Sequence, residues 1–135
     1  MSNHFLIDTR MFLWLNFSPE KLSQSTRDQL QDRKSEVFVS VISFWEISLK
    51  YQLGKLSLSG ILPHELLSAA EQMGIQIANI APNEFATFCQ LPSVDGHKDP
   101  FDRLIIWQCI VQNKVLVSHD SKLNEYVKLG LNVFI

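Results

Sequence analysis

The sequence predicts an α/β protein, a three-layer α/β/α sandwich around a central parallel sheet of about five strands. Three observations carry that expectation. Short apolar, β-branched runs recur along the chain, stretches of helical period separate them, and Gly, Pro and Asp gather at the junctions. Strands that read as nearly continuous apolar runs are covered on both faces, as in a parallel sheet between two helical layers.

"HFLID" (4–8) is the first strand, ending in an acid, and "TRMFLWLNF" follows it. "SPEKLSQSTRDQLQDRK" reads as a polar, amphipathic helix opened by Ser18 and Pro19. "EVFVSV" (36–41) is the second strand and leads into "ISFWEISLKYQLGKL", which has helical spacing and breaks near Gly54. After the loop "SLSGILP" come a helix around Glu65 to Met73, a strand "IQIANI", and a helix from Pro82 to about Gln90. The loop "LPSVDGHKDP" precedes a helix that Asp99 caps and Pro100 starts. The strand "KVLVS", a short helix near Lys122 to Val127 and a last strand "NVFI" complete the chain, with no repeats and no low-complexity tract.

At 135 residues and 46% hydrophobic content the chain has the size of one domain, read as 1–135, with material for a real core. No apolar run approaches a membrane span, and Asp8 and Arg10 interrupt the N-terminus where a signal peptide needs its apolar run. A soluble, cytoplasmic protein is expected. Cys89 and Cys109 lack C-x-x-C spacing and read as two buried free thiols. The net charge of -2 argues against coating nucleic acid through bulk positive charge, so any such contact is local.

Ligands of open parallel sheets sit off the carboxyl ends of the strands, and four acids fall there. Asp8 closes the first strand, Glu46 lies in the helix after the second, Asp102 begins the helix before "KVLVS", and Asp120 stands two residues beyond it. Each has a plainer reading. Asp8 suits a turn, Glu46 with Ser43 forms S-x-x-E like a capping box, Asp102 complements a helix dipole, and Asp120 suits an N-cap. Against these, Asp102 shares a stripe with Ile105, Ile106 and Cys109, and a helix starting nearer Ser40 aligns Glu46 with Ile42, Leu49 and Leu53. Acids about 5 Å apart at an effective dielectric near 20 repel by roughly 3 kcal/mol per pair, so such a cluster protonates in part or holds a cation. Oxygen ligands with no His or Cys nearby point to Mg²⁺ or Mn²⁺, which suit phosphodiester hydrolysis.

"FLIDT", "VSVISFWEISLKYQLGKL", "DPFDRLIIWQ" and "VSHD", in this order over nearly the whole chain, resemble the PIN domain, and closely the VapC-type toxins of bacterial toxin–antitoxin pairs. The resemblance implies a PIN-like, Rossmann-like fold and a magnesium-dependent endoribonuclease. It also implies a homodimer held inactive by a VapB-like antitoxin whose C-terminal segment enters the acidic groove. By motif, the catalytic and metal-holding acids correspond to Asp8, Glu46, Asp102 and Asp120, with Thr9, Ser43 and Ser118 as hydroxyls that orient carboxylates or metal waters.

The chain departs from many relatives in carrying Arg10 where they have His, and Trp107 and Cys109 where they have small residues. Arg10 fits a phosphate contact, a partner for the acids or a surface salt bridge. Trp14, Trp45 and Trp107 suit base stacking, but their apolar surroundings favour the core. His4, His64, His97 and His119 have no mutual zinc spacing; His97 and His119 lie near the proposed mouth and receive no role. An aspartyl-phosphate phosphatase wants a second acid where Arg10 stands, and a receiver domain wants an adjacent acidic pair. The non-enzymatic alternative is a catalytically silent PIN-like module that only binds an antitoxin-like partner.

Overall fold

The computed structural model describes residues 3–134. Its sheet is built from β1 (His4–Ile7), β2 (Glu36–Ser40), β3 (Gln76–Ala78), β4 (Val115–Val117) and β5 (Asn132–Phe134). All are parallel, in the order β3-β2-β1-β4-β5. The last residue of "NVFI", Ile135, lies outside the described residues, as do Met1 and Ser2. The helices are α1 (Thr9–Phe17), α2 (Gln24–Gln31), α3 (Val41–Gln52), α4 (Glu65–Gln72), α5 (Pro82–Ala86), α6 (Pro100–Gln112) and α7 (Asn124–Val127).

The two-residue alternation of a strand distributes β1 between two cores: Phe5 and Ile7 enter one, Leu6 the other. On the first face they meet Met11 and Phe12 of α1, Ile47 of α3, and Leu66 and Ala70 of α4. On the second, Leu6 and Leu116 meet Ile105, Ile106 and Cys109 of α6 and Tyr126 of α7. The three-layer sandwich is therefore the observed architecture. Among the described residues no helix is long and apolar enough to cross a membrane.

Local chemistry trims several expected elements. The helix expected from Ser18 splits into a 3-10 turn, Pro19–Lys21, and α2. Between them Leu22 adopts an extended conformation that buries its side chain, and Ser23 Oγ recaps the chain by accepting from the Thr26 amide at 3.2 Å. The helix expected to reach Gln90 ends at Ala86 and resumes as a 3-10 turn, Phe88–Gln90, which leaves Cys89 exposed rather than buried. Trp45 is likewise 59% exposed rather than core, because α3 turns Ile42, Ser43, Glu46 and Ile47 inward. It rests edge-on against Phe101 at 5.1 Å between ring centroids. Trp14 and Trp107 are partly buried.

Candidate active site

Strand order reverses direction at the β1/β4 boundary, and there the adjacent loops part to open a crevice. Asp8 follows β1 and caps α1, its Oδ1 accepting from the Met11 amide at 2.8 Å. Ser118 follows β4, buried, and its Oγ accepts from the Asp120 amide at 3.2 Å, while its hydroxyl also favours the ionised form of the Asp8 carboxylate. One serine thus connects the acids of two neighbouring strands. Asp120 also caps the next turn, accepting from the Lys122 amide at 2.9 Å.

The other two acids arrive on helices. Ser40 caps α3 by accepting from the Ile42 amide at 3.1 Å, so the helix starts early enough to carry Glu46 inward. Ser43 is therefore no cap; its Oγ lies 2.8 Å from Thr9 Oγ1. The aligned stripe is only partly right, since Leu53 beyond the end of α3 is exposed. Glu46 is 4% exposed; Oε2 accepts from Lys50 Nζ one turn on, whereas Oε1 is buried without a partner. At α6, Asp99 Oδ1 accepts from the amides of Phe101 and Asp102 at 2.9 and 3.1 Å, which makes it the cap and frees the Asp102 carboxylate for the crevice.

All four acids line one cavity of about 800 Å³, and Arg10, Lys50, Lys55, Lys98 and Lys122 line it with them. The acids feel one another. Burial raises the pKa of Asp8, and Glu46 adds to the rise, although hydrogen bonds from Ser118 and Met11 and the charge of Arg10 oppose it. Burial, then Asp99, Glu46 and Asp8, push Asp102 up to about 7. Burial works against the Lys50 ammonium too, but the charges of Glu46, Asp99 and Asp102 outweigh it and raise its pKa.

The three ligand atoms that come within 4.8 Å of one another belong to His97, Asp102 and Asp120; Asp8 and Glu46 stand outside this tightest group. The expectation of oxygen donors with no histidine among them is thus not met, and His97, expected only near the mouth, stands beside the acids. His97 is 5% exposed, its Nδ1 lies 2.7 Å from Tyr126 Oη, and its Nε2 lies 3.7 Å from Asp102 Oδ2. Burial lowers its pKa, with Asp120 pulling the other way, which favours the neutral ring. Sequence reasoning placed this histidine near the mouth but assigned it no role, because its partner Tyr126 lies on a distant helix. It missed Lys50, although the i,i+4 spacing from Glu46 is a readable signal.

A doubly wound parallel sheet with carboxylates and lysines gathered at its switch point defines a class of α/β proteins that place their ligand site there. The family model of the PIN domain matches residues 5–129, and the chain belongs to the PIN domain family. PIN domains are in general nucleases, hydrolases acting on nucleic acids. Among solved structures the chain is similar to VapBC2 from Rickettsia felis bound to a promoter DNA fragment, with TM-score 0.68, 14% identity and 97% of each chain covered. It is also similar to DNA-bound VapBC from Salmonella typhimurium, with TM-score 0.64, 19% identity, and 97% of this chain and 96% of that one covered. VapBC-1 from nontypeable Haemophilus influenzae gives TM-score 0.63 at 15% identity, with the same coverage. At these identities the likeness is one of fold. No curated protein matches the chain by sequence.

Proposed function

We propose that the chain is a divalent-cation-dependent endoribonuclease, the VapC-type toxin of a toxin–antitoxin pair, acting in the cytoplasm as a single domain over 1–135. The observation that carries this reading is the union of Asp8, Glu46, Asp102 and Asp120 with five basic side chains on one crevice. The acids fit a cation: Asp8 and Asp102 are held above their ordinary pKa by burial and mutual repulsion, and the buried Oε1 of Glu46 lacks any partner. Asp8, Asp102, Asp120 and Glu46 would hold Mg²⁺ or Mn²⁺. When bound, the ion supplies positive charge for the developing phosphate charge and acidifies water.

The chain's own residues supply position and charge. Ser118 fixes the Asp8 carboxylate, the Thr9–Ser43 contact fixes the wall that carries Glu46, and Lys50 neutralises one Glu46 oxygen. Burial and the neighbouring acids favour the protonated form of Asp102, whose proton a bound cation would displace. Arg10, exposed at the rim, and Lys98 suit the phosphates flanking the scissile bond. The solved VapBC complexes support a VapB-like antitoxin as partner; in this reading a segment of it enters the crevice, and the exposed Trp45 and Leu53 are apolar surface that a homodimer would cover.

The test is cleavage of a mixed panel of single-stranded and structured RNA, with DNA as control, by chain freed of any partner. Cleavage is expected with Mg²⁺ or Mn²⁺ and is lost with chelator. Cleavage without metal overturns the mechanism; no cleavage of any substrate turns the reading to a module that only binds its partner.

A further inference from the structure

The four-acid reading leaves His97 unused, yet its surroundings are built. The loop that carries it is held from both sides: Arg103 Nη2 donates to the carbonyls of Leu91 and Pro92 at 3.1 and 3.0 Å, and Lys122 Nζ donates to that of Gly96 at 3.0 Å. The ring packs edge-on to buried Tyr126, centroids 5.3 Å apart, with the phenol oxygen on Nδ1. That contact leaves Nε2 facing the crevice. Nε2 is buried without a hydrogen-bond partner, since 3.7 Å to Asp102 Oδ2 is too long for one.

We propose that His97 Nε2 is a ligand of the divalent cation, completing a nitrogen-and-oxygen set with Asp102 and Asp120. The proposal rests on the reading of the crevice as a cation site and adds to the four acids a donor of a different kind. Ligand atoms about 2.1 Å from a common ion are about 3 Å apart at right angles and about 4.2 Å apart when opposed. The Nε2–Oδ2 separation of 3.7 Å falls in that range. Ligation needs the lone pair on Nε2, hence the proton on Nδ1. Tyr126 Oη is placed to accept that proton's hydrogen bond, the usual way an outer partner fixes the tautomer of a metal-binding histidine. A histidine that served only to pack against Tyr126 would not need a second nitrogen left bare at the acids. Imidazole favours transition ions over Mg²⁺, so this site selects Mn²⁺ or a later first-row ion.

The experiment uses the full, tag-free chain, stripped with chelator and loaded with Mn²⁺. Electron spin echo envelope modulation reads directly whether nitrogen touches the ion. Nitrogen modulation is expected in the wild type, lost in His97→Gln and kept in His119→Gln. Mn²⁺ affinity should fall about tenfold or more in His97→Gln while Mg²⁺ affinity changes far less. Should His97→Gln fail to fold, a chain with the exposed His4, His64 and His119 all replaced by Gln retains His97 as its sole histidine, and its nitrogen modulation decides the matter. Mn²⁺ bound without nitrogen modulation overturns the proposal and leaves the four-acid site standing. Failure to bind Mn²⁺ at all overturns both.

Discussion

Thr9 Oγ1 and Ser43 Oγ lie 2.8 Å apart, both buried, and so join the corner after β1 to the inner face of α3 across 34 residues of sequence. The contact holds the wall bearing Asp8 against the wall bearing Glu46. Ser43→Ala leaves the Thr9 hydroxyl buried without this partner and is expected to cost about 1 to 3 kcal/mol. Urea unfolding measures it, and the double variant with Thr9→Val should recover part of the loss. Melting of Ser43→Ala at the wild-type denaturant midpoint means the contact contributes nothing.

Asp99 and Asp102 share one helix start and should separate cleanly. Asp99→Ala removes a cap to two amides, for about 0.5 to 2 kcal/mol, while cation binding persists. Asp102→Asn keeps its shape, relieves a crowded charge, and should leave the metal-free fold as stable or more so while cleavage is abolished. Melts with and without Mg²⁺, run beside RNA cleavage, distinguish them; cleavage retained by Asp102→Asn and lost by a folded Asp99→Asn reverses the assignment.

The pH dependence of stability follows from Asp102. Its pKa rises from 3.8 to about 7 on folding, so the folded state keeps a proton that the unfolded state has released, and stability falls as pH rises through 7. Asp8 is shifted in the same sense. His97, lowered from 6.5, destabilises in the opposite sense as the medium becomes acidic, so the informative quantity is the difference from Asp102→Asn, which keeps His97, over pH of about 5 to 7, where the unfolded carboxylate is ionised and the folded one still holds its proton. Across it the metal-free wild type should lose stability relative to Asp102→Asn, by on the order of 1 kcal/mol once solvent screening of a half-exposed carboxylate is allowed for, and the loss should level off above about 7. Added Mn²⁺ should stabilise increasingly with pH. A wild type that tracks the variant over this interval refutes the shift.

Lys50 is the counter-charge of a buried acid. Lys50→Met should destabilise the metal-free chain by about 1 to 3 kcal/mol, because Glu46 then has neither oxygen paired; the partial exposure of Lys50 keeps the cost below that of a fully buried pair. Adding Glu46→Gln should restore most of it, and a double-mutant cycle with no coupling would show the pair to be incidental.

Much of this was legible in the chain. The strands declared themselves through β-branched apolar runs, and the acids through their positions just beyond strands or at helix starts. What escaped the sequence depended on where backbone turns fall. Ser40, not Ser43, caps α3, and that shift of under one turn separates a capping glutamate from a buried one. Trp45 looked like core because its neighbours are apolar, yet the same helix phase turns it outward. Cys89 followed from a helix that stops at Ala86. His97 was placed near the mouth but given no role, because nothing local marks one; its contacts, Tyr126 and Asp102, are set by tertiary packing alone.

The position of β1 at the middle of the sheet also governs when the protein becomes whole. Phe5 pairs on one side with Val37, which follows soon in synthesis, and on the other with Val115, which comes near the end. Until then one edge of the first strand made stays open, and parallel pairing over so long a separation is slow. A ribosome that has passed Asp8, Glu46 and Asp102 has therefore produced three of the four acids but not the strand and serine that bring Asp8 and Asp120 together. The acids thus converge only once β4 has paired with β1.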